Sequence, residues 1–184
     1  MHRCISLAVC LGLLLGSVLL AAPVRADQND ARLDALFARL KTTDSDEEAS
    51  SIVRSIWGLW VQGPDRTSSR LLAAGDNAME KRDFDSALSA FNMVIERAPA
   101  FAEGFNQRAT LYFQMGRFPE SVADIQRTLA LEPRHFGALS GLGQIYEAIG
   151  DKQAAVKVLN KALELNPHSR RLKRKISELE GRGI

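Results

Sequence analysis

The sequence predicts an all-α protein, an α-solenoid built from successive pairs of helices. The chain has 184 residues, and Pro99, Pro133 and Pro167 stand 34 residues apart within it. Each proline follows a stretch in which apolar residues recur at the spacing of amphipathic helices. Because proline lacks an amide hydrogen and clashes with the preceding turn, it separates one helix pair from the next. We therefore expect three helix pairs, with further helices before and after them.

Three windows, which begin at Ser68, Ala102 and Phe136, share residue types at matching positions. Small residues occupy the eighth and twentieth positions: Gly75, Ala109, Gly143, Ala87, Ser121 and Ala155. Larger apolar residues occupy the fourth and twenty-fourth: Leu71, Phe105, Leu139, Phe91, Ile125 and Leu159. The small residues let two helices approach closely, and the larger ones fill the space between neighbouring pairs.

The third window carries the pattern most completely, as Leu139-x-x-Leu142-Gly143-x-x-Tyr146 followed by Ala155, Leu159, Ala162 and Pro167. This pattern resembles the tetratricopeptide repeat (TPR), and the resemblance extends over residues 68–167. It implies repeats at 68–101, 102–135 and 136–167.

The first 26 residues have the features of a secretory signal peptide. His2 and Arg3 precede an apolar run at 5–22, and Val24-Arg25-Ala26 places small residues where signal peptidase reads them. We expect cleavage after Ala26, because a cut after Ala22 would leave a proline in front.

Two other fates of this segment stay open. The apolar run, about 18 residues long, is just sufficient to span a bilayer as an uncleaved anchor. Lipidation of Cys10 is disfavoured, because Val9 stands where a lipoprotein carries a small residue and the preceding apolar stretch is short.

Composition indicates the compartment. Cleavage removes Arg3 and Arg25 but no acid, so the 24 basic residues become 22 and balance the 22 acidic ones. It also removes both cysteines, Cys4 and Cys10, and no asparagine lies in a glycosylation sequence. An exported helical chain without disulfides fits a bacterial periplasm better than a eukaryotic secretory route. We therefore expect a periplasmic protein.

Residues 27–65 are predicted to form a helix pair that lacks the repeat pattern. Residues 27–41 have one apolar stripe, formed by Leu33, Leu36, Phe37 and Leu40. Ser45 and Glu48 form a capping box for a second helix, which Gly63-Pro64 ends.

Trp57 and Trp60 belong to the apolar stripe of that second helix. Tryptophans at helical spacing are usually core residues. We interpret the pair as an N-terminal cap that packs both tryptophans onto the first repeat. The alternative is that they form an exposed site for a partner.

The three repeats should contain six helices. Gly116 and Gly150 can supply the left-handed residue that ends a helix, and Pro119 suits a first turn. Arg82 and Asp83 stand where the first repeat would usually have a glycine, which leaves that turn open. The predicted helices are 68–81, 85–97, 102–115, 119–131, 136–149 and 152–165.

Residues 168–184 are predicted to cap the array with a helix at 169–180. Leu172 and Ile176 lie on one side of it. The other side is basic, with Arg170, Arg171, Lys173, Arg174 and Lys175. Such a face is typical of a solvated cap, and contact with anionic lipid or an acidic partner is the alternative. Nucleic acid is not expected as a partner, and membrane contact is expected only through this helix or an uncleaved N-terminus.

The sequence contains no catalytic pattern such as G-x-S-x-G, H-E-x-x-H or a phosphate-binding glycine loop. His135 and His168 stand beside repeat-ending prolines and are interpreted as connector residues rather than metal ligands. We therefore expect no enzymatic activity, no cofactor and no metal.

The resemblance to TPR proteins implies a concave groove lined by the first helix of each repeat, which the family uses to hold a segment of another protein. The inward positions are then Ser69, Leu72, Asp76, Met79, Glu80, Glu103, Asn106, Thr110, Phe113, Gln114, Gly137, Ser140, Gln144, Glu147 and Ala148. Four are acidic and none is basic, so a neutral or basic segment is expected. Leu72, Met79 and Phe113 are the expected apolar contacts, and Asn106, Gln114 and Gln144 are expected to reach peptide backbone.

One TPR subclass clamps a terminal carboxylate with lysine, asparagine and arginine in this groove, but the lysines and arginines are missing here. Arg108 stands at a position that is normally apolar. Its stem is expected to cover core while its head reaches an acid such as Glu103, or else it is a specific contact.

These observations predict a non-enzymatic adaptor that holds a partner protein in its groove and assists an envelope complex. The alternative is a structural protein that associates with itself through Trp57, Trp60 or the basic end helix. Neither the partner nor the oligomeric state follows from the sequence.

Overall fold

The computed structural model describes residues 28–181, and all regular structure in this range is helical. The helices are α1 (Arg32–Thr42), α2 (Asp46–Trp60), α3 (Arg66–Glu80), α4 (Phe84–Arg97), α5 (Ala102–Gln114), α6 (Phe118–Leu131), α7 (Phe136–Ala148), α8 (Lys152–Leu165) and α9 (Arg170–Leu179). The predicted all-α fold is confirmed. The predicted signal peptide lies outside the described residues, and within 28–181 no helix has the length and apolar character to cross a membrane.

Consecutive helices pack as pairs, and the first helices of successive pairs, α3, α5 and α7, lie side by side. The small residues allow the close approach that the pattern predicts. A Cβ atom added to Gly75 would lie 2.3 Å from the ring of Phe91, and one added to Gly143 would lie 2.6 Å from Leu159. These glycines therefore set the distance between the two helices of the first and third pairs.

All three repeat pairs turn in the same way. Gly116 and Gly150 have φ values of 72° and 84°, and Arg82 occupies the corresponding position with φ 60°. The amide after each of these residues bonds to a carbonyl five residues earlier, as from Asp83 N to Ala78 O at 2.9 Å. This is the Schellman arrangement, so the first repeat keeps the turn without its glycine.

We expect Arg82→Gly to raise the free energy of unfolding by about 0.5–1 kcal/mol. Glycine should be more stable here because the left-handed conformation is unfavourable for a residue with a Cβ atom. The increase in stability is reduced by the loss of the weak contact between the Arg82 guanidinium and the Phe84 ring. Urea denaturation measures the change as a higher midpoint at constant slope. Lys81→Gly is the control: Lys81 has an ordinary φ of −82°, so glycine there should destabilise.

The first described helix begins later than predicted. The Asp30 carboxylate accepts the Arg32 amide at 2.9 Å and pairs with the Arg32 side chain, which holds residues 28–31 in a turn before α1. The predicted start of α2 is confirmed, because Ser45 Oγ accepts the Glu48 amide at 3.2 Å. The reciprocal half of the capping box is absent: the Glu48 carboxylate bonds to Thr43 and Arg39 instead.

The prediction that α2 packs its tryptophans onto the first repeat is wrong. The Trp60 ring stacks on His135 with centroids 4.2 Å apart, and Trp57 meets His135 and Phe136 edge to face. These partners lie at the start of α7, in the third repeat. The physical reason is shape, because Gly137 has no side chain where the Trp57 ring lies and so leaves a recess for it.

The N-terminal segment, which comprises the turn at 28–31 together with α1 and α2, contacts residues in or next to all three loops that join one repeat to the next element. The Gln28 carboxamide bonds to the backbone of Ala100 and Ala102. Arg134 pairs with Asp34 at 2.6 Å, and Arg170 pairs with Asp46. The pair therefore lies along the edge where the inner helices begin, and its apolar residues share one core with α7, α8 and α9.

Candidate binding groove

A groove runs between the inner helices and the N-terminal pair. We call it the central groove and define it by Asn106, Thr110, Ser140 and Gln144 on α5 and α7, with Trp57 of α2 and Arg171 of α9 also in its wall. Its cavity has a volume of about 390 Å³, which falls within the range of ligand pockets. A partner segment can therefore contact α2 as well as the repeats.

Seven of the predicted groove residues line this cavity or the two hollows next to it. Asn106, Thr110, Gly137, Ser140 and Gln144 line the cavity, Phe113 lines a smaller hollow between α5 and α7, and Glu147 lines a third beside α9. Phe113 also packs against Phe118, with ring centroids 5.6 Å apart. The structure therefore brings the polar positions of the second and third repeats together.

The first repeat contributes less. Leu72 is 2% exposed and packs in the core with Phe91, and Met79 packs against the same core, so neither is the open apolar contact that was expected. Glu80 and Gln114 are exposed but line none of these hollows. The reason is that α3 turns its apolar stripe towards α4.

Glu103, expected in the groove, belongs to a buried network instead. Its carboxylate lies 2.9 Å from His135 Nε2 and accepts bonds from the carboxamides of Asn106 and Gln107. His135 Nδ1 accepts the Ala138 amide at 3.0 Å, which places the imidazole proton on Nε2. His135 is thus more than a connector, since it caps α7, binds Glu103 and supports Trp60. His168 lies near Asp46 at the surface.

Arg108 has a structural role, with a different acid from the one expected. It forms a two-pronged pair with Asp124 of α6, at 2.7 and 2.8 Å, and bonds to Asn92 of α4. Its guanidinium also lies over Phe105 and Tyr112. Arg108 therefore joins three helices and faces away from the groove residues.

Asp76 on α3 is half-buried and forms no ion pair within residues 28–181. Burial, together with the charges of Glu103 and Glu80, raises its pKa from 3.8 to about 6. Folded chains therefore hold this proton at pH values where unfolded chains release it. The contribution of Asp76 to the free energy of unfolding is fully present below pH 3.8, and it is lost as the pH rises through about 6.

We expect Asp76→Asn to abolish the decrease in stability that the ionisation of Asp76 causes as the pH rises. Between about pH 4 and pH 6 the free energy of unfolding should fall less steeply in the variant, which should be more stable than the parent at pH 7. Denaturation curves at several pH values measure the slope. Glu96→Gln, which removes an exposed acid from α4, should leave the slope unchanged, and equal slopes for parent and Asp76→Asn would contradict the assignment.

Comparison with known proteins decides the family. A family model described as tetratricopeptide repeat matches residues 106–170. A TPR repeat-containing protein of Rhizobium etli is 36% identical over 148 residues, which are 80% of this chain and 72% of that protein. The chain belongs to the tetratricopeptide repeat family. The resemblance drawn from the repeat pattern is thereby confirmed.

Solved TPR structures share the fold. The first TPR domain of Spaghetti (RPAP3) superposes with a TM-score of 0.60 at 19% identity, over 65% of this chain and 94% of that one. The TPR2B domain of yeast Sti1 gives 0.59 at 22% identity, over 65% of this chain and all of that domain. At these identities the likeness concerns the fold alone.

Several residues that line the groove of this TPR protein lie outside the predicted set, among them Trp57, Asn166 and Arg171. The sequence pattern places Trp57 in a cap on the first repeat and Arg171 on a solvated face of the end helix. A partial signal existed, because Gly137 interrupts a helix start where a larger residue would be ordinary. Only the structure shows the reason for this glycine, which is that the Trp57 ring lies where its side chain would be.

Proposed function

We propose that this TPR protein is a non-enzymatic adaptor that holds a segment of a partner protein in the central groove. The observation that carries this is the groove itself: uncharged polar side chains of two repeats face a cavity walled by α2 and α9. Carboxamides and hydroxyls that line such a cavity suit the N–H and C=O groups of a peptide.

The solved relatives support a peptide as the guest. The Spaghetti domain was solved bound to an HSP90 peptide, and the yeast Sti1 domain as a complex with pHsp70. Within residues 28–181, no three histidine, cysteine or acidic side chains are grouped to hold a metal ion. Assistance to an envelope complex and a periplasmic location belong to the proposal and rest on the predicted signal peptide.

Crosslinking in cells tests this proposal. A photoreactive residue at Thr110 or Gln144, both of which line the groove, should give a discrete protein adduct that mass spectrometry can identify. The same residue at Gln126, exposed on α6 outside the groove, should not. Adding Gly141→Phe, which fills the groove from α7, should abolish the adduct. Equal adducts from all three positions, or none at all, would refute the groove as the binding surface.

Self-association remains the second candidate because of a hollow between α1 and α2. Ala35, Leu36 and Gly58 contribute apolar surface to it, on the pair that docks against the repeats. Trp60 cannot take part, as it is 1% exposed within its own chain. Light scattering distinguishes the candidates: a dimer that Leu36→Glu dissociates would support self-association, and a monomer at all concentrations would exclude it.

A further inference from the structure

Arg171, in the first turn of α9, gives the central groove a positive charge. Among the described residues that line this groove, it is the one with a charged side chain. It also lines the hollow beside α9, which has a volume of about 380 Å³. The two cavities share Ser140, Gln144 and Leu172 as well, so they adjoin, and Arg171 lies where they meet.

The Arg171 side chain has no acidic partner in the part of the chain that the structure describes. The hollow beside α9 has two acids in its wall, and Lys175 pairs with both, with Glu147 at 3.1 Å and with Glu178 at 3.2 Å. Arg174 also lies 4.0 Å from Glu178. The acids near Arg171 are therefore engaged by other basic residues, and its guanidinium is available to a guest.

The buried Glu103 carboxylate places negative charge behind the α5 wall of the central groove. It accepts bonds from the carboxamides of two lining residues, Asn106 and Gln107, at 3.2 and 2.8 Å. Neither of these residues lines the hollow beside α9. Because like charges repel, an acidic group of a guest is disfavoured beside α5 and favoured beside Arg171.

Asn166 offers a hydrogen-bond acceptor in the same wall as Arg171. It lies between α8 and α9 and lines the central groove, and its side chain is 8% exposed. Its side-chain oxygen has no partner among residues 28–181. A buried acceptor without a partner is unfavourable, and a backbone N–H of a guest residue beside Arg171 can supply the missing donor.

We propose that the central groove recognises a peptide segment in which one aspartate or glutamate, flanked by uncharged residues, pairs with Arg171. This rests on the proposed function and deepens it by naming the charge of the guest. The carboxylate belongs to a side chain rather than to a chain terminus, because there is space for the guest on both sides of Arg171. The sequence alone predicted a neutral or basic guest, since Arg171 was not among the inward positions.

Peptide selection on the purified protein gives the first test. The probe is a random twelve-residue library displayed between fixed flanking sequences, so that every guest is internal. Enriched peptides should share a single acidic residue with uncharged neighbours. After synthesis, a selected peptide should bind equally well with a free and with an amidated C-terminus, which distinguishes a side-chain carboxylate from a terminal one.

A double-mutant cycle between protein and peptide assigns the contact. Replacing the acidic residue of the peptide by its amide should weaken binding to the parent protein about fivefold, which is the scale of one exposed ion pair. Arg171→Gln should weaken the acidic peptide by the same factor and should bind the two peptides equally. Arg171→Glu should shift a new selection from acidic to basic residues at this position.

Lys173→Gln is the matched control. It removes the same charge from the same helix, but Lys173 is exposed and lines neither the central groove nor the hollow beside α9. This variant should bind the acidic peptide as the parent does. Urea denaturation of both variants checks that they remain folded, as expected for two exposed positions.

The outcomes separate this assignment from the adaptor function. Enriched peptides without an acidic residue, equal binding of the acid and amide peptides to the parent, a requirement for the free C-terminus, or equal effects of Arg171→Gln and Lys173→Gln would each overturn the pairing with Arg171 and leave the adaptor function intact. Failure to enrich any peptide would count against the groove as a peptide site, and hence against both.

Discussion

Trp60→Ala should lower the free energy of unfolding by about 3–5 kcal/mol, because it removes a buried aromatic ring and leaves a cavity. Trp60 is 1% exposed and lies between Phe37, His135 and Phe136. These neighbours come from α1 and from the start of α7, so the ring joins the N-terminal pair to the third repeat. Its loss should weaken this docking as well as the overall stability.

Intrinsic fluorescence can report the result directly. Trp57 and Trp60 are the two tryptophans of the chain, so in Trp60→Ala all tryptophan emission comes from Trp57 at the same interface. We expect a red-shifted emission and a lower urea midpoint. Trp60→Phe is the control: it keeps an aromatic ring and removes an indole N–H that has no hydrogen-bond partner among the described residues, so its effect should be much smaller. Equal losses in both variants would contradict the stacking role.

A glycine pair tests the same docking from the other side. A Cβ atom added at Gly137 would lie 2.5 Å from the Trp57 ring, whereas one added at Gly141 meets Ile125 at an ordinary 3.6 Å. Both residues lie on α7, where alanine is favoured over glycine by about 1 kcal/mol. Gly137→Ala should therefore disturb Trp57 emission, and Gly141→Ala should leave it unchanged while the protein becomes slightly more stable.

His135→Leu is the second change from which we expect a loss of about 3–5 kcal/mol. Leucine has a similar size, but it removes the donor that lies 2.9 Å from the buried Glu103 carboxylate. Both side chains are fully buried, so the carboxylate would keep only the carboxamides of Asn106 and Gln107. The substitution also removes the acceptor that caps Ala138.

A double variant separates the charge effect from the packing effect. In His135→Leu with Glu103→Gln, no unpaired carboxylate remains, so the double variant should be more stable than His135→Leu alone. The measurement is a double-mutant cycle from urea denaturation of the four proteins. A double variant less stable than the single one would show that the lost cap and altered packing, rather than the unpaired charge, explain the destabilisation.

Local features of the fold were accessible from sequence because they depend on neighbours in the chain. The turn at Gly116 needs a residue that tolerates positive φ, and Ser45 caps the helix that directly follows it. The 34-residue spacing reports contacts between adjacent helices, such as Gly75 against Phe91. Such features predicted the all-α repeat architecture and the polar positions of the second and third repeats.

Long-range docking was not accessible in this way. Trp60 and His135 are 75 positions apart, and no local sequence pattern in either segment identifies the other as its partner. Glu103 occupies an inward position of its repeat, and whether it is open or buried depends on His135 and on the pair that covers it. Arg171 becomes a groove residue only because α9 packs beside α7 and α8.

The sequence by itself determined the repeating helix pairs, their turns and the polar inward positions of the second and third repeats, because repeat proteins are stabilised by contacts between neighbours. Only the tertiary structure decided where the N-terminal pair docks, which acids stay unpaired and which charges meet the groove. The physical reason is that burial and pairing of a side chain depend on all the elements packed around it, whereas helix periodicity and capping depend on a few adjacent residues.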